Sequence, residues 1–237
     1  MALNKNIVPI VYISGTGGHF LSSFIRSARL NNDPYSTGCY LSTYGNAHNA
    51  RLDMGNVGGF SVPPEVQIEK LLKFNLPDPP YYPPVHLHDI DPIMQEFEKS
   101  IKITYTGYDV YEISIIYFMK WGIEAGNYKV NNIYDILWPT RMTMSWMMKN
   151  LKGYRSSDNY GDRLLDVSWK ELFEKDPDIL VEKLSKFTGI PSDQFPRQSL
   201  ENWRILTKKG RDIIDTVLNT GDIGLIIKLD SQTGTPR

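Results

Sequence analysis

The sequence predicts an α/β domain of three layers, α/β/α, around a mainly parallel central sheet. An apolar, β-branched run at 7–13 stops at a glycine cluster, and a helical repeat follows at once. Further strand-like runs alternate with helical ones through the rest of the chain, and most end in a polar or glycine-bearing turn. That alternation is the pattern of parallel strands joined by crossover helices.

The run 7–13 is apolar on both faces, which suits a strand buried between two layers. Over 19–30, Phe20, Leu21, Phe24, Ile25 and Ala28 recur at helical spacing, with Arg26 and Arg29 on the opposite side. The stretch 31–63 is rich in Asn, Gly, Tyr and Ser without a sustained period, and reads as a long loop insertion. Pro63-Pro64 can start a helix reaching residue 74, and the prolines of 77–84 lead, extended, into a strand end at Val85-His86-Leu87-His88. Asp89 or Asp91 can cap a helix over 92–99, after which 101–106 is strand-like until Gly107. Helices are expected over 108–121 and 133–151. A short strand at 163–167 meets Ser168, placed to cap a helix over 169–173. Asp176-Pro177 opens another through Thr188, where Gly189 stops it, and a last helix is expected over 198–218. There is no internal repeat, so residues 1–237 are read as a single domain carrying the insertion.

The composition narrows the function. With 41% hydrophobic and 22% charged residues the chain reads as globular, and its formal net charge of -1 gives no overall field for nucleic acid or an anionic membrane. Any anion site must therefore be local. The first residues run into the apolar strand without a signal-peptide pattern, and no run reaches the length of a membrane span. Cys39 is the only cysteine, which excludes an intramolecular disulfide and makes a thiolate metal cluster unexpected. A reducing, cytoplasmic setting is the expectation.

Ser14-Gly15-Thr16-Gly17-Gly18-His19-Phe20, between strand and helix, has the makings of an anion cradle. A helix N-terminus exposes amide groups that its own ladder does not use and carries a partial positive charge. Glycine permits the left-handed turns that aim such amides, while Ser14, Thr16 and His19 add side-chain donors. The bland alternative is that Gly17-Gly18 only allows close packing of the turn. The loop is similar to a P-loop without its lysine, since Gly18-His19-Phe20 stands where a nucleotide triphosphatase has Gly-Lys-Ser or Gly-Lys-Thr.

Four ordered segments together resemble the sulfotransferase family. Tyr12-Ile13-Ser14-Gly15-Thr16-Gly17-Gly18-His19-Phe20-Leu21 looks like its 5′-phosphosulfate loop, and Val85-His86-Leu87 like the end of its Lys-Thr-His-Leu-Pro strand. Tyr105-Thr106-Gly107-Tyr108-Asp109-Val110, with Ser114 following, looks like its Arg-Asn-Pro-x-Asp-Val-x-x-Ser passage. The segment from Arg163 to Pro177 and its sequel Leu184-Ser185-Lys186-Phe187-Thr188-Gly189-Ile190-Pro191 are similar to its late strand and Phe-Leu-Gly-x-Pro turn. The family's lysine before Ser-Gly-Thr falls on Ile13, and its 3′-phosphate arginine on Tyr105 or Thr106.

The resemblance implies a P-loop nucleoside triphosphate hydrolase-like, sulfotransferase-like fold. It also implies sulfuryl transfer from 3′-phosphoadenosine 5′-phosphosulfate to a hydroxyl or amine of an unknown small-molecule or glycan acceptor, without a metal. Ser14, Gly15, Thr16, Gly17, Gly18, His19 and Phe20 would then hold the 5′-phosphosulfate, and Ser114 the 3′-phosphate. His86 would take the acceptor's proton, a role suited to imidazole near neutral pH; the alternative is a strand-end histidine satisfied by backbone.

Other features carry weaker signals. His88 would face away from His86 on a strand, so His86, His88, Asp89 and Asp91 are not expected to form a metal site. Tyr35, Tyr40, Tyr44, His48 and Arg51 either line an acceptor pocket or anchor the insertion. Met142, Met144, Met147 and Met148 read as adaptable core beside Arg141, and Lys208-Lys209-Gly210 as a solvated basic helix face. Two other functions stay open: a degenerate relative acting as a binding or structural protein, and a kinase-like P-loop enzyme.

Overall fold

A computed structural model of the chain describes residues 3–13, 15–30, 39–41, 47–49, 63–73, 79–87, 89–124, 129–154 and 158–226. In chain order the elements are β1 (Ile10–Val11), α1 (Gly18–Leu30), β2 (Cys39–Leu41), β3 (Ala47–Asn49), α2 (Pro64–Leu72), β4 (Pro84–Val85), α3 (Asp91–Glu96) and β5 (Ser100–Thr104). There follow α4 (Val110–Tyr117), a π-helix (Phe118–Glu124), α5 (Tyr134–Asn150), β6 (Leu164–Ser168), α6 (Trp169–Phe173), α7 (Pro177–Thr188) and α8 (Arg197–Thr220). Short 3₁₀ turns lie between α5 and β6 and before α8.

Strands β4, β1, β5 and β6, in that order, form a parallel sheet, so the expected α/β class holds. Ile10 pairs with Pro84 on one side and Ile101 on the other, and Val11 with Val85 and Lys102. The proline-rich approach can form the strand because β4 is an edge, where a missing N–H is tolerated. Its carbonyls do the pairing: Ile10 N–H donates to Pro83 at 2.8 Å and Tyr12 N–H to Val85 at 3.1 Å.

Side chains leave the strands alternately to two covered faces. Ile10, Tyr12, Ile101, Ile103 and Val167 pack with Phe20 and Phe24 of α1, Leu180 and Leu184 of α7, and Trp203 of α8. On the other face Ile7, Val11 and Val85 meet Ile68 and Leu71 of α2 and Ile93 of α3, while Ile13 and Tyr105 meet Ile113 of α4 and Met147 of α5. Helices therefore cover both sides of the sheet. Full burial of a large apolar side chain contributes about 1.5–3 kcal/mol, and this alternation gives each strand two such faces.

Two elements depart from those expected, and the helix expected over 133–151 is present as α5. Within 31–63, β2 and β3 form a two-stranded antiparallel ribbon, Cys39 opposite Asn49, in a stretch whose polar composition gave no alternation to read. The helix expected over 108–121 starts at Val110 and changes to π-helical winding at Phe118. Helix α5 runs through Pro139, whose missing N–H leaves a local gap in its ladder. Among the described residues, no helix is long and apolar enough to cross a membrane.

Candidate functional site

The chain passes from β1 to β4 on one side of the sheet and then to β5 on the other side of β1. In open α/β sheets the crevice outside the carboxyl ends of strands at such a reversal is where ligands bind. The glycine loop leaves β1 at that edge. Gly15 and Gly17 have φ of 89° and 86°, in the left-handed region that favours glycine, and Gly18 is the first residue of α1. No acidic residue stands in the first turn of α1, so nothing there opposes an anion.

The loop is tightly enclosed. A Cβ on Gly15 would fall 2.8 Å from the Ile113 carbonyl oxygen, and one on Gly17 would fall 2.7 Å from Trp203. On Gly18 it would fall 2.2 Å from the Tyr12 ring. Packing thus requires glycine at all three positions, and backbone conformation requires it at Gly15 and Gly17 as well, so the packing role expected as the alternative is present. Trp203 is fixed in turn by a parallel stack on Phe20, with centroids 4.1 Å apart.

His86 stands just past β4, beside the loop. Its backbone carbonyl accepts from Gln67 Nε2 at 3.2 Å, and the next carbonyl, of Leu87, accepts from the Tyr154 hydroxyl at 2.6 Å. Those two bonds fix the strand end. The His86 side chain turns to Tyr12: Nε2 and the phenolic oxygen are 2.5 Å apart, and the rings lie 4.2 Å centroid to centroid. Nδ1 of His86 is buried. The His19 ring meets Tyr12 edge-on at 5.6 Å and lies 6.4 Å from that of His86. Two expected site histidines and one loop-flanking tyrosine therefore converge.

Other expected residues are placed differently. The Thr16 side chain is fully buried and its hydroxyl donates to the Ile13 carbonyl at 2.6 Å, so it ties the loop to its own strand. Phe20 is 2% exposed and faces the core. Ser114, also fully buried, donates to the Val110 carbonyl at 2.7 Å one helical turn back. In this arrangement it presents no hydroxyl to a 3′-phosphate. The Tyr105 hydroxyl donates to the Met147 carbonyl at 3.2 Å. Thr106 gives both its N–H and its hydroxyl to Asp109, each at 2.8 Å. Lys208 forms an i,i+4 ion pair with Asp212 on an exposed face, as expected of a solvated basic pair. Met147 is core, as expected, whereas Met142 and Met148 are about half exposed, at 52% and 51%. Ser14 and His88 lie outside the described residues, as do the side chains of Tyr40 and His48 and the whole of Tyr35, Tyr44 and Arg51. No group of three or more metal-ligating side chains occurs among the described residues.

The structure adds two residues that the sequence reading did not single out for a role. Tyr12 carried a weak signal, since it alternates with Ile10 and immediately precedes the loop. Lys120 carried none. It lies in the π-helical segment, is only 9% exposed, and holds its ammonium 5.0 Å from the centroid of Trp203, the ring that covers Gly17. A buried cation thus borders the layer over the loop.

No protein-family model matches the chain, and no curated protein sequence matches it.

Proposed function

We propose that the chain is a sulfotransferase-like protein with the P-loop-like fold that this implies, moving a sulfuryl group from 3′-phosphoadenosine 5′-phosphosulfate to an acceptor hydroxyl or amine. The observation that carries the reading is the meeting of the glycine loop with His86 at the carboxyl ends of adjacent parallel strands. An anion held by helix-start amides beside a histidine has the parts that in-line transfer of an anionic group needs, namely positioning, charge stabilisation and a proton acceptor.

The fit to the donor is uneven. The loop end suits an anionic group: glycines with positive φ at Gly15 and Gly17, a helix start without acids, and the Lys120 ammonium over Trp203, the ring that borders Gly17. The far end does not, because Ser114 is closed on Val110 and Tyr105 and Thr106 are closed on Met147 and Asp109. The identity of the nucleotide therefore rests on the resemblance. Titration calorimetry with 3′-phosphoadenosine 5′-phosphate is the test. Saturable binding is expected, and no heat at high micromolar concentration sinks the reading.

A second reading, a binding or structural protein that kept the fold, is favoured by those same inward-turned hydroxyls of Thr16 and Ser114. It predicts neither product binding nor sulfuryl transfer. Magnesium-dependent ATP turnover would instead reveal a kinase-like enzyme.

A further inference from the structure

We propose that the outer face of α5 seats the protein on an anionic lipid surface, a property independent of the proposed activity. Five apolar side chains of this helix stand in solvent: Tyr134, Leu137, Trp138, Met142 and Met148. At about 100° per residue they fall within one arc of about 140°, which they share with Arg141, Ser145 and Lys149. Ile136, Pro139, Thr140 and Met147 are buried on the opposite side, so the helix has its core contact and the stripe is a second, outward apolar face. Single exposed apolar residues are ordinary on a protein surface, whereas a row of them on one helix face marks an interaction site.

The stripe continues past the helix. A Cβ on Gly107 would fall 3.7 Å from the Met148 sulfur, and the next residue, Tyr108, is 92% exposed. Tyr134 and Trp138 are 74% and 64% exposed, so most of each ring is in water. Rings of this kind, apolar with one polar tip, suit the boundary between acyl chains and headgroups.

Charge selects the occupant. The exposed charges of α5 and of the turn after it are Arg141, Lys149 and Lys152, all cationic. Asp135, the one acid of α5, is turned back on the helix start, where it accepts from the Asn131 and Asn132 N–H groups at 2.7 and 3.1 Å. Two copies joined through this face about a two-fold axis would set like charges against each other, whereas anionic headgroups complement them. An exposed helix is also convex, and a fluid interface can take it in without a matching groove, which favours a bilayer over an acidic partner protein. The net charge of -1 supplies no long-range attraction, so the contact depends on the stripe itself. Helix α5 would lie in the interface plane, in keeping with its being too polar to span a bilayer.

The test is flotation of the full chain with vesicles of phosphatidylcholine alone, or with one third of it replaced by phosphatidylglycerol. Saturable binding to the anionic vesicles is expected, weakening as salt is added. Two double variants, Leu137→Ser with Trp138→Ser and Arg141→Glu with Lys149→Glu, change exposed side chains only, and thermal unfolding checks that each still folds. Each is expected to lower the apparent affinity about tenfold or more, the first through lost apolar insertion and the second through charge. The second should also lose most of the salt dependence. A wild-type chain that ignores the anionic vesicles overturns the proposal, whether sedimentation velocity then shows the face joining two copies or an acidic protein proves to cover it. Binding that either variant retains in full overturns it too, because lipid would then be held without this face's apolar row or without its cations. No arm needs turnover, so these outcomes leave the sulfotransferase reading untouched.

Discussion

Tyr12 Oη lies 2.5 Å from His86 Nε2 although 74 positions separate the two residues in the chain. Adjacent parallel strands make the contact possible, since Val11 pairs with Val85 and the next residue on each strand completes the pair. Gly18 makes room for it by letting the Tyr12 ring lie on the start of α1.

Gly18→Ala tests that dependence through the sign of its effect. Alanine is better than glycine by up to about 1 kcal/mol in a helix interior and by less at Gly18, the first residue of α1, so in an open site the change would be close to neutral or mildly stabilising. Here the new methyl would fall 2.2 Å from the Tyr12 ring. Overpacking of that kind costs about 1–3 kcal/mol and should win. Chemical denaturation is expected to show a lower midpoint, and a higher one would mean that the ring is not seated on Gly18.

Ser114→Ala separates the role implied by the resemblance from the placement observed. The hydroxyl is buried and bonded to Val110 within its own helix, a bond whose removal costs little because alanine suits a helix. Stability should change by less than about 1 kcal/mol. Affinity for 3′-phosphoadenosine 5′-phosphate should be unaltered by calorimetry. A tenfold loss, about 1.4 kcal/mol, would show that Ser114 turns outward when the nucleotide binds.

The parts of the fold that were legible are those set by local chemistry. Ser168 and Glu171 form a reciprocal capping box, with Ser168 N–H donating to the carboxylate at 2.7 Å and Glu171 N–H to the hydroxyl at 3.2 Å. Asp176 caps α7 and Gly189 ends it in the left-handed conformation, as their spacing indicated. The strand at residue 7 was recognisable from its apolar run, yet only Ile10–Val11 make a continuous ladder, because flanking pairs are isolated bridges from Asn4 and Ile7. What stayed hidden depended on distant partners. Whether a serine or threonine hydroxyl faces a ligand or its own backbone is decided by packing, and Thr16 and Ser114 both turned inward. Lys120 is indistinguishable in sequence from a surface lysine, and only the π-helical winding and Trp203 give it a place.

Glu171 should govern part of the acid stability. Burial acts to raise its pKa, but the Ser168 backbone N–H and the Lys183 ammonium, 3.0 Å away, outweigh it and hold the carboxyl below its ordinary value. A depressed folded value means stability that is present above the unfolded pKa, near 4.5, and lost as pH falls through the folded one. Glu171→Gln is therefore expected to lower stability at pH 7 and to flatten its decline below about pH 4.5. Denaturation midpoints measured from pH 7 to pH 3 check this. Parallel curves for the two proteins would remove Glu171 as a source of the dependence.

Lys120 offers the most direct measure of whether the loop holds an anion. Its ammonium lies over Trp203, a contact of about 0.5–2 kcal/mol that competes with the cost of keeping a charge 9% exposed. Lys120→Met keeps the apolar stem, so the two losses offset and the unliganded protein should unfold within about 1 kcal/mol of wild type. Binding of 3′-phosphoadenosine 5′-phosphate should suffer more. A charge-assisted bond contributes about 1.5–3 kcal/mol, so affinity is expected to fall by about tenfold or more. Its salt dependence should weaken as well, because one cation fewer faces the ligand. Lys120→Arg should preserve much of the binding, since guanidinium also stacks on an indole and carries the same charge. If the methionine variant binds as tightly as wild type while unfolding like it, Lys120 serves Trp203 alone and the anion must be held by the loop's amides and the histidines beside them.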